Sequence, residues 1–363
     1  MKRVGNLWPQ LTSFEHLLLA SKKAAAGKRN RPDVAAFLLN LEWNLLELRR
    51  ELLEERYEPG PYRTFQVLDP KPRHISAAPF RDRVVHHALT SVLEPIFEPR
   101  FSPASFACRT GMGVHKALAR AREGVRRYRH VLKVDVRKYF ASIDHQILNQ
   151  QLARTIKCGP TLHLAARIIE SSNQQEEFVR YFPGDDLFSP LARRRGLPLG
   201  NQSSQFFANV YLTSLDHRVA HENGGGIYVR YVDDLVLFSD NPDWLREMKA
   251  LIGLELATCR LDMHPGKSRL ARCVDGVTFL GWRLFPDRAR LVAENVSRFR
   301  RRLGNLRDDF GAGRSEWAEV RQSVRAWIAH AAHGDTWVLR ERLLAGFAFE
   351  RGVRPQPAGR GFQ

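Results

Sequence analysis

The stretch from Ile227 to Asp240 constrains the fold more than any other part of the chain. Two runs rich in β-branched and aromatic residues flank the pair Asp233 and Asp234, which predicts a β-hairpin with both carboxylates near its turn. Aspartate is common in turns for backbone reasons alone, so the pair does not define a site by itself. Adjacent carboxylates repel each other, however, and a cation bound between them and a third acidic group relieves that repulsion.

A second strand with an acidic end lies earlier in the chain. In the segment Val131–Val136 the apolar residues alternate along a predicted strand, which places Asp135 where a central strand leaves the core. Three carboxylates on two strands can hold two Mg²⁺ ions roughly 3.5 to 4 Å apart, a spacing that serves the attacking and leaving oxygens of phosphoryl transfer. The backbone carbonyl of Val136 is a further candidate ligand, and Mn²⁺ is an alternative to Mg²⁺. The sequence therefore predicts a two-metal site at Asp135, Asp233 and Asp234.

The composition indicates a polyanionic partner. The chain has 57 Lys and Arg against 39 Asp and Glu in 363 residues, a net charge of +18. Charge alone does not distinguish DNA, RNA and a membrane surface. Because the sequence has no apolar run of about 18 residues and no signal-peptide pattern, we expect a cytoplasmic protein with no membrane partner. Its four cysteines are widely spaced, and we expect buried thiols rather than zinc ligands or disulfides.

Hydrophobic periodicity predicts the main helices and strands. Apolar residues at helical spacing predict continuous helices over Val34–Glu55 and residues 146–170, and further helices over Val114–Tyr128 and Trp244–Cys259. The segment Val277–Leu284 is predicted to form one strand. From residue 294 onward the chain is helical and basic, and its Pro/Gly-rich end is expected to be disordered.

Basic and aromatic residues supply candidates for nucleic-acid binding. The cations that follow residue 70 suit a triphosphate or a template backbone, although each one alone is typical of a surface charge: Lys71, Arg73, Arg81 and Arg83. Phe140 follows Asp135 by five positions. It either lies beneath the incoming sugar, where it excludes a 2′-hydroxyl, or belongs to the core.

Taken together, these motifs resemble reverse transcriptases of the bacterial group II intron lineage, over roughly residues 60 to 345. The matching blocks follow the family's order: Lys71 to Arg83, Ser105 to Gly113, Asp135 to His145, Gly196 to Asp216, Tyr231-Val232-Asp233-Asp234, His264 to Ser268 and Phe279-Leu280-Gly281-Trp282. The Tyr-x-Asp-Asp box is fairly specific alone, and the ordered set is very specific. The resemblance implies an α+β, right-hand polymerase fold with fingers, a palm of antiparallel sheet plus helices, and a helical thumb.

The same resemblance implies a division of the chain into parts with distinct roles. We expect an N-terminal helical extension (1–60), fingers (61–130), the first part of the palm (131–165), an insertion with the nucleotide-pocket block (166–210), the palm with the Asp233 hairpin (211–288), a basic helical thumb (289–350) and a disordered tail (351–363).

The nucleotide-pocket block departs from the family's general pattern, Gln-Gly-x-x-x-Ser-Pro. Leu199 and Gln205 stand at its two ends, which is similar to reverse transcriptases of diversity-generating retroelements, as are Trp327–His330 and His333–Trp337. Those enzymes copy a template-repeat RNA into error-prone cDNA for mutagenic retrohoming, with frequent errors opposite adenine, assisted by a small basic accessory protein. Losing one pocket contact of about 1 to 3 kcal/mol weakens discrimination roughly 10- to 200-fold, which explains low selectivity but not the choice of adenine.

The resemblance also implies a role for each candidate residue in DNA synthesis from deoxynucleoside triphosphates on template RNA. Asp135 and Asp233 would bridge the two metals, and Asp234 would complete the site. The nucleotide would be bound by Lys71, Arg73, Phe140, Leu199, Gly200 and Gln205. The template and the primer or cDNA would be contacted by Arg81, Arg83, Arg109, Lys267, Gly281, Arg298 and Arg301.

Two alternatives remain open from the sequence. One is a phage-defence or other domesticated reverse transcriptase of the same lineage, which neighbouring template and variable repeats would distinguish. The other is a catalytically silent RNA-binding protein that uses the basic surface alone, which a polymerase assay would distinguish.

Overall fold

The computed structural model describes residues 2–68, 72–172, 180–222 and 224–351. Helices and sheets are mixed in an α+β arrangement, with these helices: α1 (Trp8–Leu11), α2 (Phe14–Ala25), α3 (Pro32–Leu39), α4 (Leu41–Leu53), α5 (Phe80–Phe97), α6 (Val114–Arg127), α7 (Tyr139–Ser142), α8 (His145–Thr155), α9 (Gly159–Glu170), α10 (Ser189–Ala192), α11 (Gln202–Tyr211), α12 (Thr213–His221), α13 (Pro242–Thr258), α14 (Ala293–Gly311), α15 (Trp317–Ala331) and α16 (Trp337–Ala345).

The strands of the described residues form three sheets. The strands are β1 (Arg63–Val67), β2 (Arg73–Ala77), β3 (His130–Asp135), β4 (Ile227–Tyr231), β5 (Asp234–Ser239), β6 (Arg269–Arg272), β7 (Val277–Phe279), β8 (Trp282–Leu284) and β9 (Ala289–Leu291). Strands β1 and β2 form an antiparallel hairpin. A four-stranded sheet has the order β4-β5-β3-β6, and β7-β8-β9 form a third, antiparallel sheet.

The chain divides into two compact units. Unit 1 comprises Met1–Ala117, Leu132–Leu237 and Asn241–Leu270, and unit 2 comprises Leu118–Val131, Phe238–Asp240 and Ala271–Gln363. The further division into fingers, palm and thumb stays a prediction.

The core of unit 1 surrounds helix α5. Its residues Val84, Val85, Ala88 and Leu89 are fully buried and belong to one large apolar cluster. The position of α5 follows from its sequence, because an almost continuous apolar surface can be buried only when other elements pack around it. The same cluster includes buried residues of β3 and β5, so the strands that carry the acidic residues are anchored in it.

Unit 2 combines the small sheet with helices α14 to α16. Phe299 and Leu303 of α14 pack with Leu343 of α16 in one apolar cluster. The ring of Phe299 stacks on Trp327 at 4.0 Å between centroids. Basic side chains occupy the exposed positions of α14, as the amphipathic pattern predicts.

Two predicted continuous helices are interrupted. Asn40 separates α3 from α4 with φ −117° and ψ 42°, and the Asn44 side chain donates to the Phe37 carbonyl (2.9 Å), one of the acceptors freed at the end of α3. Residues 146–170 form α8 and α9, because the chain becomes extended at Ile156 and Pro160 opens the second helix.

The strand predicted over Val277–Leu284 is a two-strand hairpin instead. Leu280 and Gly281 both have positive φ, 47° and 81°, which is the backbone of a two-residue hairpin turn between β7 and β8. Leucine at the first turn position conceals this signal.

The four cysteines are free thiols, as expected, but Cys108 is exposed rather than buried. The tail from residue 352 and Lys71 lie outside the described residues. Within the described ranges, none of the helices has the length and apolarity needed to span a bilayer.

Candidate active site

The Asp233 hairpin is built as the sequence predicts. Strand β4 ends at Tyr231 and β5 begins at Asp234, so Val232 and Asp233 form the turn. Residues Leu235–Phe238 are at most 1% exposed, which anchors β5 in the core and leaves its acidic end at the margin. Val232 has φ 57°, a conformation that a β-branched residue adopts only when its surroundings hold it there.

Asp135 lies at the end of β3, the sheet neighbour of β5. The backbone N–H of Val136 donates to the Asp233 carbonyl (3.1 Å), which ties the two strand ends together. The Asp135 carbonyl accepts from the N–H of His264 (2.7 Å). The three predicted acidic residues therefore lie together where β3 ends and β5 begins, within unit 1.

The electrostatics of this edge favour a bound cation. Burial, followed by the neighbouring Asp234 and Asp135 carboxylates, raises the pKa of Asp233 from 3.8 to about 6. Burial also raises the pKa of Asp234, although Lys133 opposes that shift. Placing negative charge here is costly, and a positive ion removes much of that cost.

Two lysines currently supply positive charge to the carboxylates. The Lys267 ammonium lies 3.2 and 3.3 Å from the two Asp135 oxygens, and that of Lys133 lies 3.6 Å from Asp234 Oδ1. The sequence predicts that Lys267 contacts template or primer, and the fold places its ammonium beside Asp135; the contact with template or primer stays a prediction. Lys133 was not among the predicted residues, although its position two residues before Asp135 puts both side chains on one face of β3.

The donor set fits a hard divalent cation. Carboxylate oxygens are the ligands that Mg²⁺ prefers, and the buried Asp234 Oδ1 makes no hydrogen bond among the described residues beyond its 3.6 Å ion pair with Lys133. Among the described residues, no three His, Cys, Asp or Glu side chains form a ready-made metal cage. Ligation by these residues and by the Val136 carbonyl stays a prediction.

Several predicted nucleotide-binding residues are gathered by strand β2. The N–H of Ser76 donates to the Leu199 carbonyl (3.0 Å), and the Asn201 side chain donates to the Ser76 carbonyl (3.1 Å). Gly200, with φ 114°, packs so closely that an added Cβ would lie 2.8 Å from Ile75. The pocket loop and the strand that begins at Arg73 are therefore held together.

The other predicted nucleotide-binding residues lie in the same unit. Arg73 is exposed on β2, and its charge opposes the rise in the pKa of Asp233. Gln205 is exposed on α11 and accepts a contact from the Cys108 thiol (3.4 Å). Phe140 is partly buried with its ring against Tyr139, so the fold leaves both of its proposed roles open.

The predicted template and primer contacts of unit 1 already have protein partners. Three arginines are paired with acidic neighbours: Arg81 with Glu51, Arg83 with Asp33 and Arg109 with Glu98. The Arg109 side chain is only 6% exposed and also donates to the carbonyls of Ser102 and Ser105. These bonds hold its own turn together, so a contact between Arg109 and nucleic acid has no support in its geometry.

The remaining predicted contacts belong to unit 2. Gly281 lies at the β7–β8 turn, and the Asn295 side chain donates to its carbonyl (3.1 Å). Arg298 donates to Asn295 (3.2 Å), and Arg301 is exposed on α14. Their contact with primer or template stays a prediction.

Comparison with known proteins identifies the class to which this fold and site belong. Residues 68–284, more than half of the chain, match the family described as "Reverse transcriptase (RNA-dependent DNA polymerase)". The chain therefore belongs to the reverse transcriptase family. Membership implies a polymerase fold, template RNA and nucleotide substrates, and reverse transcriptases generally use divalent metals.

Curated relatives include proteins of group II introns. The chain is 25% identical to Protein YkfC of Escherichia coli (strain K12), over 77% of this chain and 81% of that protein. It is 33% identical to nuclear intron maturase 2, mitochondrial, of Arabidopsis thaliana over 37% of this chain and 21% of the relative. It is 24% identical to the group II intron-encoded protein LtrA of Lactococcus lactis subsp. cremoris, over 58% and 33%. The alignments with the maturase and LtrA thus cover a third or less of those proteins.

Proposed function

We propose that the chain is an RNA-directed DNA polymerase that adds deoxynucleotides to a primer 3′-hydroxyl on an RNA template and releases pyrophosphate. The observation that carries this proposal is the meeting of Asp135, Asp233 and Asp234 at one sheet edge, tied by the Val136–Asp233 backbone bond. Family membership supplies the reaction class.

The chain's residues would divide the work of this reaction. Two Mg²⁺ ions, with Mn²⁺ as an alternative, would lower the pKa of the primer hydroxyl and neutralise the triphosphate. Asp135 and Asp233 would orient both ions, and Asp234 would complete the donor set. Arg73, beside Lys71 in sequence, would hold the phosphates from β2, and Phe140 would contact the sugar. Lys267, freed from Asp135 when a metal binds there, would be available to the substrate phosphates.

The test compares two aspartate variants in primer extension. Asp233→Asn should lower Mg²⁺-dependent DNA synthesis on an oligo(dT)-primed poly(rA) template at least ~100-fold, since each 1.4 kcal/mol lost from the transition state is a factor of ten. Asp243→Asn is the matched control, because Asp243 is exposed and its side chain pairs with Arg246 alone among the described residues. Near-normal activity of Asp233→Asn rejects the site. If the unaltered protein is inactive but binds RNA, the silent RNA-binding alternative is favoured.

We further propose that synthesis is error-prone and serves mutagenic retrohoming in a diversity-generating retroelement, with a small basic accessory protein as partner. The supporting features are Leu199 and Gln205 in the pocket block, together with the contact of the Leu199 backbone with β2. Leu199 offers no side-chain hydrogen bond where relatives have an amide, so a mispaired nucleotide loses less binding energy.

Reverting the pocket tests this finer proposal. Leu199→Gln combined with Gln205→Pro should lower misincorporation several-fold on an RNA template read by deep sequencing. Leu191→Gln, at an exposed leucine of the same unit, should leave the error rate unchanged. An unchanged error spectrum in the reverted pocket contradicts the assignment and favours the phage-defence alternative, as would neighbouring DNA without template and variable repeats.

A further inference from the structure

Unit 1 contains a polar pocket that shares no lining residue with the candidate active site. Its volume is about 650 Å³, within the range of ligand sites. One wall is helix α8, which presents Gln146, Asn149 and Gln150 at helical spacing on one face. Arg194 and Arg260 also line the pocket.

The pocket wall is rigid because buried ion pairs build it. Asp144 is 1% exposed, and its carboxylate caps α8 through the N–H of Ile147 (3.0 Å). The same carboxylate lies 2.7 Å from Arg260 and 3.4 Å from Arg193. Since these groups are fixed before any ligand arrives, a bound molecule would order few further side chains.

Polar capacity in the pocket is left over after these internal bonds. Asn149 and Gln150 have no side-chain hydrogen bond among the described residues. His145 is 2% exposed, its Nε2 is bonded to the Gly196 carbonyl, and its buried Nδ1 has no partner. Amides that carry both donors and acceptors suit the mixed polar edge of a nucleobase.

The charge of the pocket suits a single phosphate. Three arginines and two acids line it, which leaves one positive charge. Arg260 is paired with Asp144, and Arg193 is paired with Asp185 (2.5 Å) as well as with Asp144, whereas Arg194 is exposed and donates to the backbone carbonyl of Glu170 (2.6 Å) rather than to its carboxylate. Arg194 is therefore the cation most available to an anionic ligand.

We propose that this pocket binds one unpaired nucleotide unit of RNA, with the amides of α8 contacting the base and Arg194 contacting the phosphate. Unstacked RNA bases expose the hydrogen-bonding edges that such amides recognise. The site would hold an RNA at a point separate from the polymerase cleft and give a general copying enzyme a preference for one RNA. The inference builds on the proposed function but does not require catalysis.

The experiment measures RNA binding while the cleft is occupied. The full chain is loaded with an RNA template and a dideoxy-terminated DNA primer plus the next deoxynucleotide, and a fluorescein-labelled eight-nucleotide single-stranded RNA is titrated by anisotropy. We expect the loaded protein to bind this oligonucleotide, and Asn149→Ala with Gln150→Ala to weaken that binding at least tenfold. Gln150 is exposed and Asn149 is partly buried, and alanine has a higher helix propensity than either residue, so the fold should be retained.

Charge variants provide the matched comparison. Arg194→Ala should weaken binding and lower the slope of log affinity against log salt by about 0.7, the value of one phosphate contact on a single strand. Arg154→Ala removes an exposed arginine from α8 outside the pocket and should change neither quantity. If nucleoside monophosphates compete with the oligonucleotide at equal concentration, the ligand is a free nucleotide. If they do not compete, the ligand is a nucleotide within RNA.

Two binding results overturn the proposal: no binding of the oligonucleotide by the loaded protein, or equal binding by the Asn149/Gln150, Arg194 and Arg154 variants. Crosslinking of a 4-thiouridine oligonucleotide provides a second measurement, because adducts that map only outside α8 and Arg194 also overturn it. Asp233→Asn should bind the oligonucleotide normally, so a failure of the polymerase assignment is distinguishable from a failure of the pocket.

Discussion

Arg230, one residue before the Tyr-x-Asp-Asp box, holds the Asp233 hairpin in place from inside the core. It is fully buried, and its guanidinium donates to Asp216 through Nε (2.7 Å to Oδ1) and Nη2 (2.6 Å to Oδ2). It also donates to Ser105 Oγ (2.9 Å) and to the carbonyl of Val232 (3.1 Å), the first residue of the turn. Burial alone would lower the pKa of Arg230, but the Asp216 carboxylate outweighs it and keeps the guanidinium charged.

Replacing Arg230 with methionine should separate its two roles. Asp216 would keep only the Tyr228 hydroxyl (2.7 Å) as a side-chain donor, so a buried carboxylate would be left without its counter-charge. Breaking a buried pair in this way costs about 3–5 kcal/mol. At about 2–4 °C per kcal/mol for a unit of this size, the Tm should fall by about 6–20 °C.

Adding Asp216→Leu removes the stranded carboxylate. The double variant should therefore be more stable than Arg230→Met alone, because an apolar pair of similar volume often replaces a buried ion pair at little cost. Its DNA synthesis should nevertheless stay low, since the Val232 carbonyl loses the hydrogen bond from Arg230 and the turn at φ 57° loses that support.

The assay combines urea unfolding with primer extension well below each Tm. Arg246→Met is the control, because Arg246 pairs with Asp243 at the surface with 63% and 78% of the side chains exposed, and it should change the free energy of unfolding by less than about 0.5 kcal/mol. The reasoning is refuted if Arg230→Met is no more damaging than Arg246→Met. Full activity in the double variant would refute the role of Arg230 in holding the turn.

Three further predictions concern the free energy of unfolding and the nucleotide KM. The pKa of Asp233 is raised from 3.8 to about 6 in the folded state, so the folded protein binds the proton more tightly and its free energy of unfolding falls as pH rises between these values. Asp233→Asn should therefore match the unaltered chain at pH 3.5 and exceed its free energy of unfolding by up to about 3 kcal/mol at pH 7.5. Equal stability of the two proteins at pH 7.5 would contradict this. Gly304 faces open space on α14, so Gly304→Ala should stabilise the protein by about 0.5–1 kcal/mol. A Cβ on Gly334 would lie 2.1 Å from Trp282, so Gly334→Ala should destabilise the protein by about 1–3 kcal/mol. Thermal melts that rank the two variants otherwise would contradict the packing. Gly200→Ala should raise the KM for deoxynucleotides, since φ 114° and the contact with β2 both resist a Cβ, and an unchanged KM would remove Gly200 from the pocket.

The acidic hairpin could be predicted from sequence because its signals are local. Alternating β-branched and aromatic residues around Asp233 specify two strands and a turn without reference to the rest of the chain, and the same holds for the β3 strand before Asp135. Breaks within regular patterns were missed for the opposite reason. Asn40 interrupts an apolar helical periodicity that continues on both sides, and Leu280 occupies a turn position at φ 47° where glycine or asparagine is usual.

Residues that act through distant partners could not be inferred in this way. Asp216 and Arg230 are fourteen positions apart and read as ordinary helix and strand residues until the fold buries them against each other. The pairing of β2 with the loop at Leu199 joins segments more than a hundred residues apart, and the hydrophobic periodicity of the sequence does not predict it. Such contacts depend on tertiary packing, which local propensity does not encode.

At the candidate active site, the features that favour binding of a divalent ion are expected to lower the stability of the fold. Burial and mutual repulsion make the ionised forms of Asp233 and Asp234 unfavourable. Lys133, which contacts Asp234, and Lys267, which contacts Asp135, offset only part of that cost. Strands β3 and β5 can carry this cost because their apolar residues are anchored in the core of unit 1. A divalent ion bound there, as proposed, would offset that cost, so affinity for the metal and strain in its absence would have the same origin. Variants that relieve the repulsion should therefore fold more stably and bind the ion less well.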